Sequence, residues 1–405
     1  MWILAIVGAG TSFAEHSITQ LYKTRLGGSY RGGAAFYIRT GIGGATGAFL
    51  GGLFAVLGYL STGVLGALQP GAAADALVNG FGVPRIVATI VILAGLFVVL
   101  CGGIKGIGSF CEKIVPPMAV SYIVVALIII VMNLGALPGV LATIVTSAFG
   151  KNAVFGGIVG SAISMGIKRG VYSSEAGQGT STPHSATADT SHPAKQGLLQ
   201  ALSVYVDTIL ICTATAFMLL LSGQYNVYDA AGVAIYEALP GVEAGVGFGQ
   251  AAADTIFPGF GRIFMASALL VFAFTTSITQ YNLAESNAAA LHRGFAENKW
   301  MSMALKLIYI FVPRYMGCML DLDAVWSLSD LGMGLNAWLT LLTLLYFIPT
   351  TIKIYKDYFH QLAAGKDPVF RPSRCGIRNA ELWEEIAGEY EAVAKTEQKE
   401  PAAKV

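Results

Sequence analysis

The side chains with the most chemical capacity crowd into one stretch, Lys168–His192. It holds Ser173, Ser174, Glu175, Gln178, Thr180, Ser181, His184, Asp189 and His192. Gly177 and Gly179 flank the glutamine, so two residues with no helix preference surround one amide. A helix arriving from 152–174 frays there. Thr182-Pro183 reads as a restart, with Thr as N-cap and Pro in the first helical position. A helix interrupted this way leaves bare carbonyls on one stub and bare N–H groups on the other. The first suit an ammonium group or Na⁺, the second a carboxylate. The same composition also fits a loop between two helices.

Other candidates are more scattered. Glu175 sits at the edge of the break, where it shapes a cavity or titrates during a working cycle. Asp207 lies eleven residues into an apolar run that also carries Thr208, Thr213 and Thr215; a structural hydrogen bond and a coupling role are both open. Thr275-Thr276 follow the apolar run Leu269–Phe274 and offer oxygens to a small hard cation, or bond back to their own helix. Gln280, Tyr281, Asn282 and Glu285 continue that polar face, Gln69 stands just before Pro70, and Glu15 snorkels or caps near the end of the first apolar run. His184, Asp189 and His192 have neither HExxH spacing nor a third ligand nearby, so no metal site is expected. The chain has no GxSxG and no phosphate loop, and Ser173 and Ser174 lack a base. Enzyme chemistry is not expected.

The elements that must position these groups are membrane helices. The chain is 55% hydrophobic and 12% charged, where a soluble domain carries about 25% charge. A net charge of +1 leaves no basic field for nucleic acid. The five cysteines form no CxxC pair. Runs long enough to cross hydrocarbon lie near 1–21, 43–67, 85–102, 114–134, 152–174, 197–221, 262–283, 301–321 and 333–354, about nine spans. Lipid satisfies no backbone N–H or C=O, so a polar break between such runs survives only where protein buries it or water lines it. Lys and Arg concentrate in 22–42, 103–113, 284–300 and after 353, whereas 68–84 and 222–261 have none and the second carries Asp229, Glu237, Glu243 and Asp254. The 135–151 loop has Lys151, and Arg85 and Arg262 at outer ends and Arg314 inside a span are minor exceptions. The asymmetry puts the C-terminus in the cytoplasm and Met1 outside. No signal peptide precedes Met1, so an odd number of upstream helices is expected to be missing. Residues 1–355 read as a transmembrane core and 356–405 as a polar cytoplasmic tail, with a surface helix at 375–394 and disorder over 395–405.

Gly166–Thr180 resembles the "GxKRGxFSNEAGxGS" segment of the alanine/glycine:cation symporter family. His192–Gly197 with Val206-Asp207-Thr208 resembles its "HPxKQG…FIDT", Phe13-Ala14-Glu15 its "FAE", Phe272–Thr276 its "FAFTT" and Val325–Asp330 its "VWxxAD". The resemblance implies an all-α, multi-span membrane protein with a leucine-transporter-type inverted-repeat core, here lacking its first helix. It implies a secondary active symporter in the cell inner (plasma) membrane, coupling Na⁺ entry to uptake of alanine or glycine by alternating access. Its partners are then a small neutral amino acid, Na⁺ and the bilayer, with no cofactor beyond the coupling ion. Carried over by position, Gln69, Ser174, Gly177, Gln178, Gly179, Thr180 and Gln280 border substrate. Thr275 and Thr276 ligate the cation, and Glu175 and Asp207 take part in coupling. Ser174 replaces the family Asn, Ala34 the Pro of "GGPAYYI", Gln280 a frequent Trp and Met333 a frequent Asn, which leaves the choice of amino acid open. The alternative is a truncated, transport-inactive membrane fragment lacking the first broken helix of the binding site.

Overall fold

The computed structural model describes residues 1–64, 66–149, 155–228, 233–242, 245–320 and 322–399. Lys151, Asp229 and Glu243, which contribute to the loop-charge pattern, and the start of the 152–174 run lie outside them.

The chain is mostly helical. The first helix, α1 (Trp2–Leu21), leads through a short hairpin, β1 (Thr24–Leu26) and β2 (Ser29–Arg31), into α2 (Ala34–Tyr37) and α3 (Gly44–Gly58). Helices α4 (Leu68–Phe81), α5 (Arg85–Cys101), α6 (Gly103–Met132) and α7 (Leu137–Phe149) follow. Next come α8 (Phe155–Ser174), the short α9 (Thr182–Thr187), α10 (Pro193–Val204) and α11 (Cys212–Ser222). A second hairpin, β3 (Asn226–Tyr228) and β4 (Ala234–Glu237), precedes α12 (Val246–Asp254) and α13 (Phe260–Leu291). The chain closes with α14 (Gly294–Glu297), α15 (Lys299–Tyr309), α16 (Tyr315–Met319), α17 (Leu322–Ala363), α18 (Pro372–Cys375) and α19 (Glu381–Lys399).

Among the described residues, five helical stretches are long and apolar enough to cross a membrane: Gly44–Thr62, Gly108–Met132, Pro193–Ser222, Phe260–Leu291 and Val325–Ala363. Several other expected spans are interrupted or short. The 301–321 run is split by a π-turn at Ile310–Arg314 that contains Pro313, which has no N–H for the ladder. The 85–102 run folds as the 17-residue α5. The first run is a full 20-residue helix, but it buries Ser12, Glu15, His16, Ser17, Thr19 and Gln20. A stripe that polar inside a bundle needs partners on neighbouring helices. They come from α9 and its cap, where Ser185 Oγ and Ser181 Oγ meet His16 at 2.5 and 3.3 Å, and from Ala188, whose carbonyl accepts from Gln20 at 3.0 Å.

The C-terminal segment departs from expectation. Its helix begins at Glu381 instead of 375 and continues to Lys399, through residues expected to be disordered; 400–405 lie outside the described residues. One face is sunk into the bundle. Trp383 is fully buried against Phe370, and its Nε1 donates to the Gln20 carbonyl at the end of α1, 2.8 Å away. The Phe370 N–H donates to Ser191 O at 3.0 Å, and Ser191 Oγ donates to Pro368 O at 2.9 Å. A surface helix is what the local composition suggests; nothing local indicates what covers Trp383, Ile386 and Ala387.

Between α8 and α9 the helix is broken at the expected place. Glu175, Gly177 and Gly179 have φ of +51°, +78° and +76°, a left-handed conformation that favours glycine. Space is equally restrictive: a Cβ on Gly179 would lie 2.5 Å from the Phe54 ring and 2.9 Å from Thr340. The restart comes one residue early. Ser181 takes the cap position of α9, and Thr182 Oγ1 donates to Gly179 O at 2.7 Å while accepting from Ala34 N at 3.1 Å. Gly179→Ala is therefore expected to cost at least roughly 1–3 kcal/mol from backbone strain alone. Gly388→Ala, on α19 with nothing within 4 Å of the added Cβ, is expected to be neutral or stabilising. Thermal melting of the purified variants checks this; equal melting temperatures would contradict it.

Candidate functional site

The break is walled in by protein. Gly177, Gln178, Gly179 and Thr180 are all buried. Contrary to expectation, the backbone groups of the turn are not bare. The Gly177 N–H donates to Glu15 Oε2 at 2.9 Å, and the Gly177 carbonyl accepts from Thr340 Oγ1 on α17. Glu15 thus caps the turn from inside the bundle and does not snorkel. Gln178 turns back and donates through Nε2 to Val171 O at 2.7 Å, closing the end of α8. Ser174 Oγ accepts weakly from Ala176 N at 3.4 Å. Gly177, Gln178, Gly179 and Ser174 thus build the turn, and most of their polar groups are spent doing so.

Beside the turn lies a chamber of about 100 Å³, the space of roughly three waters. Thr62, Glu175, Thr180, His184, Thr279, Gln280, Leu283 and Met333 line it. Three of these follow from the sequence: Glu175 and Thr180 come from the break, and Gln280 from the polar face of α13. Glu175 accepts from Thr180 Oγ1 at 3.0 Å. His184 Nδ1 accepts from Asn282 Nδ2 at 3.1 Å, so the ring is fixed by a neighbour on α13. Thr62 enters from a π-turn, Tyr59–Val64, and Thr279 from α13; neither stands out in the sequence because a threonine in an apolar helix carries no local mark.

Gln69 is outside the chamber lining. Its Nε2 donates to Tyr172 Oη at 3.4 Å. Tyr172 stacks obliquely on Trp326 with centroids 5.2 Å apart, and the Arg169 guanidinium lies 4.2 Å from the Trp326 ring. Arg169 also grips both oxygens of Asp330, at 3.0 and 2.8 Å. Tyr172 precedes Glu175 by about one turn at the end of α8, and Trp326 and Asp330 precede Met333 on α17. This cluster therefore links α8 to α17 within one or two turns of the chamber residues Glu175 and Met333. A larger cavity of about 740 Å³, bordered by Asp75, Arg85, Gln250 and Arg262, lies apart from the break; volume alone does not mark the chemistry.

Thr275 Oγ1 donates to Val271 O and Phe272 O at 2.9 and 3.0 Å, and Thr276 Oγ1 to Phe272 O at 2.8 Å. Both hydroxyls bond back to their own helix, which still leaves lone pairs for a cation. Asp207 accepts from Ser173 Oγ, across from the end of α8 and away from the chamber lining. His192 is a structural residue: Nδ1 accepts from Ala194 N at 3.1 Å, so Nε2 carries the proton toward Asp357 Oδ2 at 3.1 Å.

Arg314, an exception in the charge pattern of the loops, braces the site. It is fully buried, and no carboxylate pairs with it among the described residues. Its guanidinium donates to Gly66 O, to Thr62 O at 3.0 Å, to Gln280 Oε1 at 3.3 Å and to Tyr309 Oη, and lies 4.0 Å from the Tyr309 ring centroid. The π-turn at Tyr59–Val64 and the chain that follows it leave carbonyls without helix partners, and a planar five-donor cation satisfies several at once.

The family model described as the sodium:alanine symporter family matches residues 1–372. YrbD of Bacillus subtilis is 44% identical over 397 residues, 97% of this chain and 81% of its own length. The sodium/proton-dependent alanine carrier protein of Bacillus sp. (strain PS3) is 46% identical over 319 residues, 78% of this chain and 71% of its own. The sodium/alanine symporter AgcS of Methanococcus maripaludis is 31% identical over 350 residues, 85% of this chain and 73% of its own.

Two substitutions separate the Arg314 brace from the Arg169–Asp330 pair. Asp330→Asn breaks a pair that is about 30% exposed, so its stability cost is expected to stay within about 1 kcal/mol. Arg314→Met strands at least two buried acceptors at roughly 1–3 kcal/mol each and is expected to cost about 3 kcal/mol or more. Melting in detergent ranks the two; the reverse order would contradict these roles.

Proposed function

The chain belongs to the sodium:alanine symporter family, and on that premise we propose that it imports alanine by coupling its entry to Na⁺. The observation that carries this reading is the chamber of about 100 Å³ beside the interrupted helix, lined by a carboxylate, several hydroxyls and an amide. Its volume suits a small amino acid and excludes a large side chain. Glu175 faces the ammonium group, and the Gln280 amide N–H supplies a donor for the carboxylate. Leu283 and Met333 cover the methyl group. Glycine fits the same space and is the second substrate of the proposal. Ser174, Gly177, Gln178 and Gly179 act by shaping the turn, and Gln69 acts through Tyr172.

The cycle is alternating access in the inner membrane, within a nine-span core of leucine-transporter-type inverted repeats. In this reading the cluster of Arg169, Asp330, Tyr172 and Trp326 roofs the chamber and opens it to one side. The tail, on the cytoplasmic side by loop charge, rests on the end of α1. Na⁺ takes oxygens from Thr275 and Thr276; Asp207, bonded to Ser173 at the end of α8, belongs to the coupling apparatus. The relatives from Bacillus sp. (strain PS3) and Methanococcus maripaludis, named for the transport of alanine, support this reading.

Labelled alanine uptake into proteoliposomes, with and without an inward Na⁺ gradient, tests the proposal. Gradient-dependent uptake is expected; uptake indifferent to Na⁺ removes the coupling. Thr276→Val is expected to weaken Na⁺ dependence more than alanine affinity at saturating Na⁺, and the opposite pattern takes Thr276 out of the ion site. Met333→Phe fills the chamber and is expected to abolish alanine binding with little change in melting temperature. Retained binding would place the substrate elsewhere.

A further inference from the structure

Glu15 is fully buried, and one of its two oxygens stands idle. Oε2 accepts from Gly177 N at 2.9 Å and the Gly179 N–H also faces the carboxylate, while Oε1 has no partner within hydrogen-bond distance. No lysine or arginine pairs with it among the described residues. Asn336 on α17 is also fully buried, and both atoms of its amide lack partners. Gln178 Oε1 is unpartnered as well. The residues that carry these groups meet at one peptide unit. Glu15 holds the Gly177 N–H, Thr340 holds the Gly177 carbonyl, and Thr340 Oγ1 also donates to the Asn336 carbonyl one turn earlier, at 2.7 Å. The chamber lining includes none of Glu15, Asn336 or Gln178.

A lone carboxylate in a dry interior costs several kcal/mol unless something neutralises it. Backbone N–H groups stabilise it without cancelling its charge. Three of the unpartnered atoms on these residues are oxygens, Glu15 Oε1, Asn336 Oδ1 and Gln178 Oε1; the fourth is the Asn336 Nδ2 donor. Oxygen donors suit hard cations. We propose that a monovalent cation, Na⁺ or a proton, binds at Glu15 with the help of the Asn336 amide, at the Gly177 turn and outside the chamber lining. The ionisable groups facing Glu15 are Glu175 across the break and Tyr37 from α2; His16, next on α1, is turned toward Ser181 and Ser185. The extra negative charge of Glu175 strengthens the attraction for a cation. Because Glu15 and the chamber share the turn, occupancy at one changes the field at the other, and such coupling is reciprocal. The proposal rests on the symport reading and adds a second ion position to the one at Thr275 and Thr276.

The test uses the full chain. ²²Na⁺ binding to purified protein, without alanine, counts sodium ions; proton flux per alanine in proteoliposomes counts protons. Glu15→Gln keeps shape and the acceptor for Gly177 N–H while removing the charge. It is expected to lose one bound Na⁺ per chain, which assigns the site to sodium, or to lose one proton per alanine with Na⁺ binding intact, which assigns it to the proton. Asn336→Leu is expected to weaken Na⁺ binding at least tenfold in the first case and to leave proton flux unchanged in the second. Unchanged Na⁺ count and unchanged proton flux in Glu15→Gln would overturn the proposal. Should Glu15→Gln fail to fold, Asn336→Asp serves: the added charge is expected to tighten Na⁺ binding or shift the pH dependence of uptake, and neither change would overturn it. Na⁺ binding with no alanine uptake in the unaltered chain would count against the symport reading and leave this site standing.

Discussion

A membrane-embedded chain must find a partner for every peptide group it unwinds. That requirement governs the turn at Gly177–Gly179. The N–H and C=O of Gly177 are taken up by two side chains from different helices, Glu15 on α1 and Thr340 on α17. The break therefore ties α1, α8, α9 and α17 together. Small movements of any one of them reach the turn directly, because glycine at φ of +78° and +76° leaves no slack beside Phe54, Leu341 and Thr340.

The same constraint recurs across the chamber. The π-turn at Tyr59–Val64 brings Thr62 to the lining and frees carbonyls, and Arg314 answers them from another interrupted stretch, Ile310–Arg314. Here one helix defect is matched by another, the first supplying orphan acceptors and the second a donor to meet them. Gln280 belongs to both systems, since its Oε1 accepts from Arg314 and its side chain borders the chamber. A buried cation with no carboxylate partner among the described residues is tolerated here because unwound backbone is itself a strong acceptor.

Much of this is legible in the residues. Two glycines around a glutamine announce a break, and apolar run lengths announce helices. What the break does with its own dipoles is not legible. Free N–H and C=O groups await a ligand only if no side chain elsewhere claims them, and it is tertiary packing that brings Glu15 and Thr340 to Gly177. Arg314 looks like noise in a charge count because half of its partners are backbone carbonyls, which have no identity in a sequence, and none is a carboxylate among the described residues. Thr62 and Thr279 are hidden for a similar reason: exposure to a chamber is a property of the bundle. Trp383 is misjudged because a surface helix declares its polar side without declaring what covers the other.

If the interrupted helix forms one wall of the chamber where the amino acid sits, Thr180, between the turn and α9, is the place to ask. With the native cysteines replaced, Thr180→Cys should react with a small water-soluble thiol reagent. Alanine with Na⁺ should slow that reaction at least several-fold, while leaving Gly388→Cys on α19 unaffected. Equal labelling of Thr180→Cys with and without alanine would contradict this placement of the substrate.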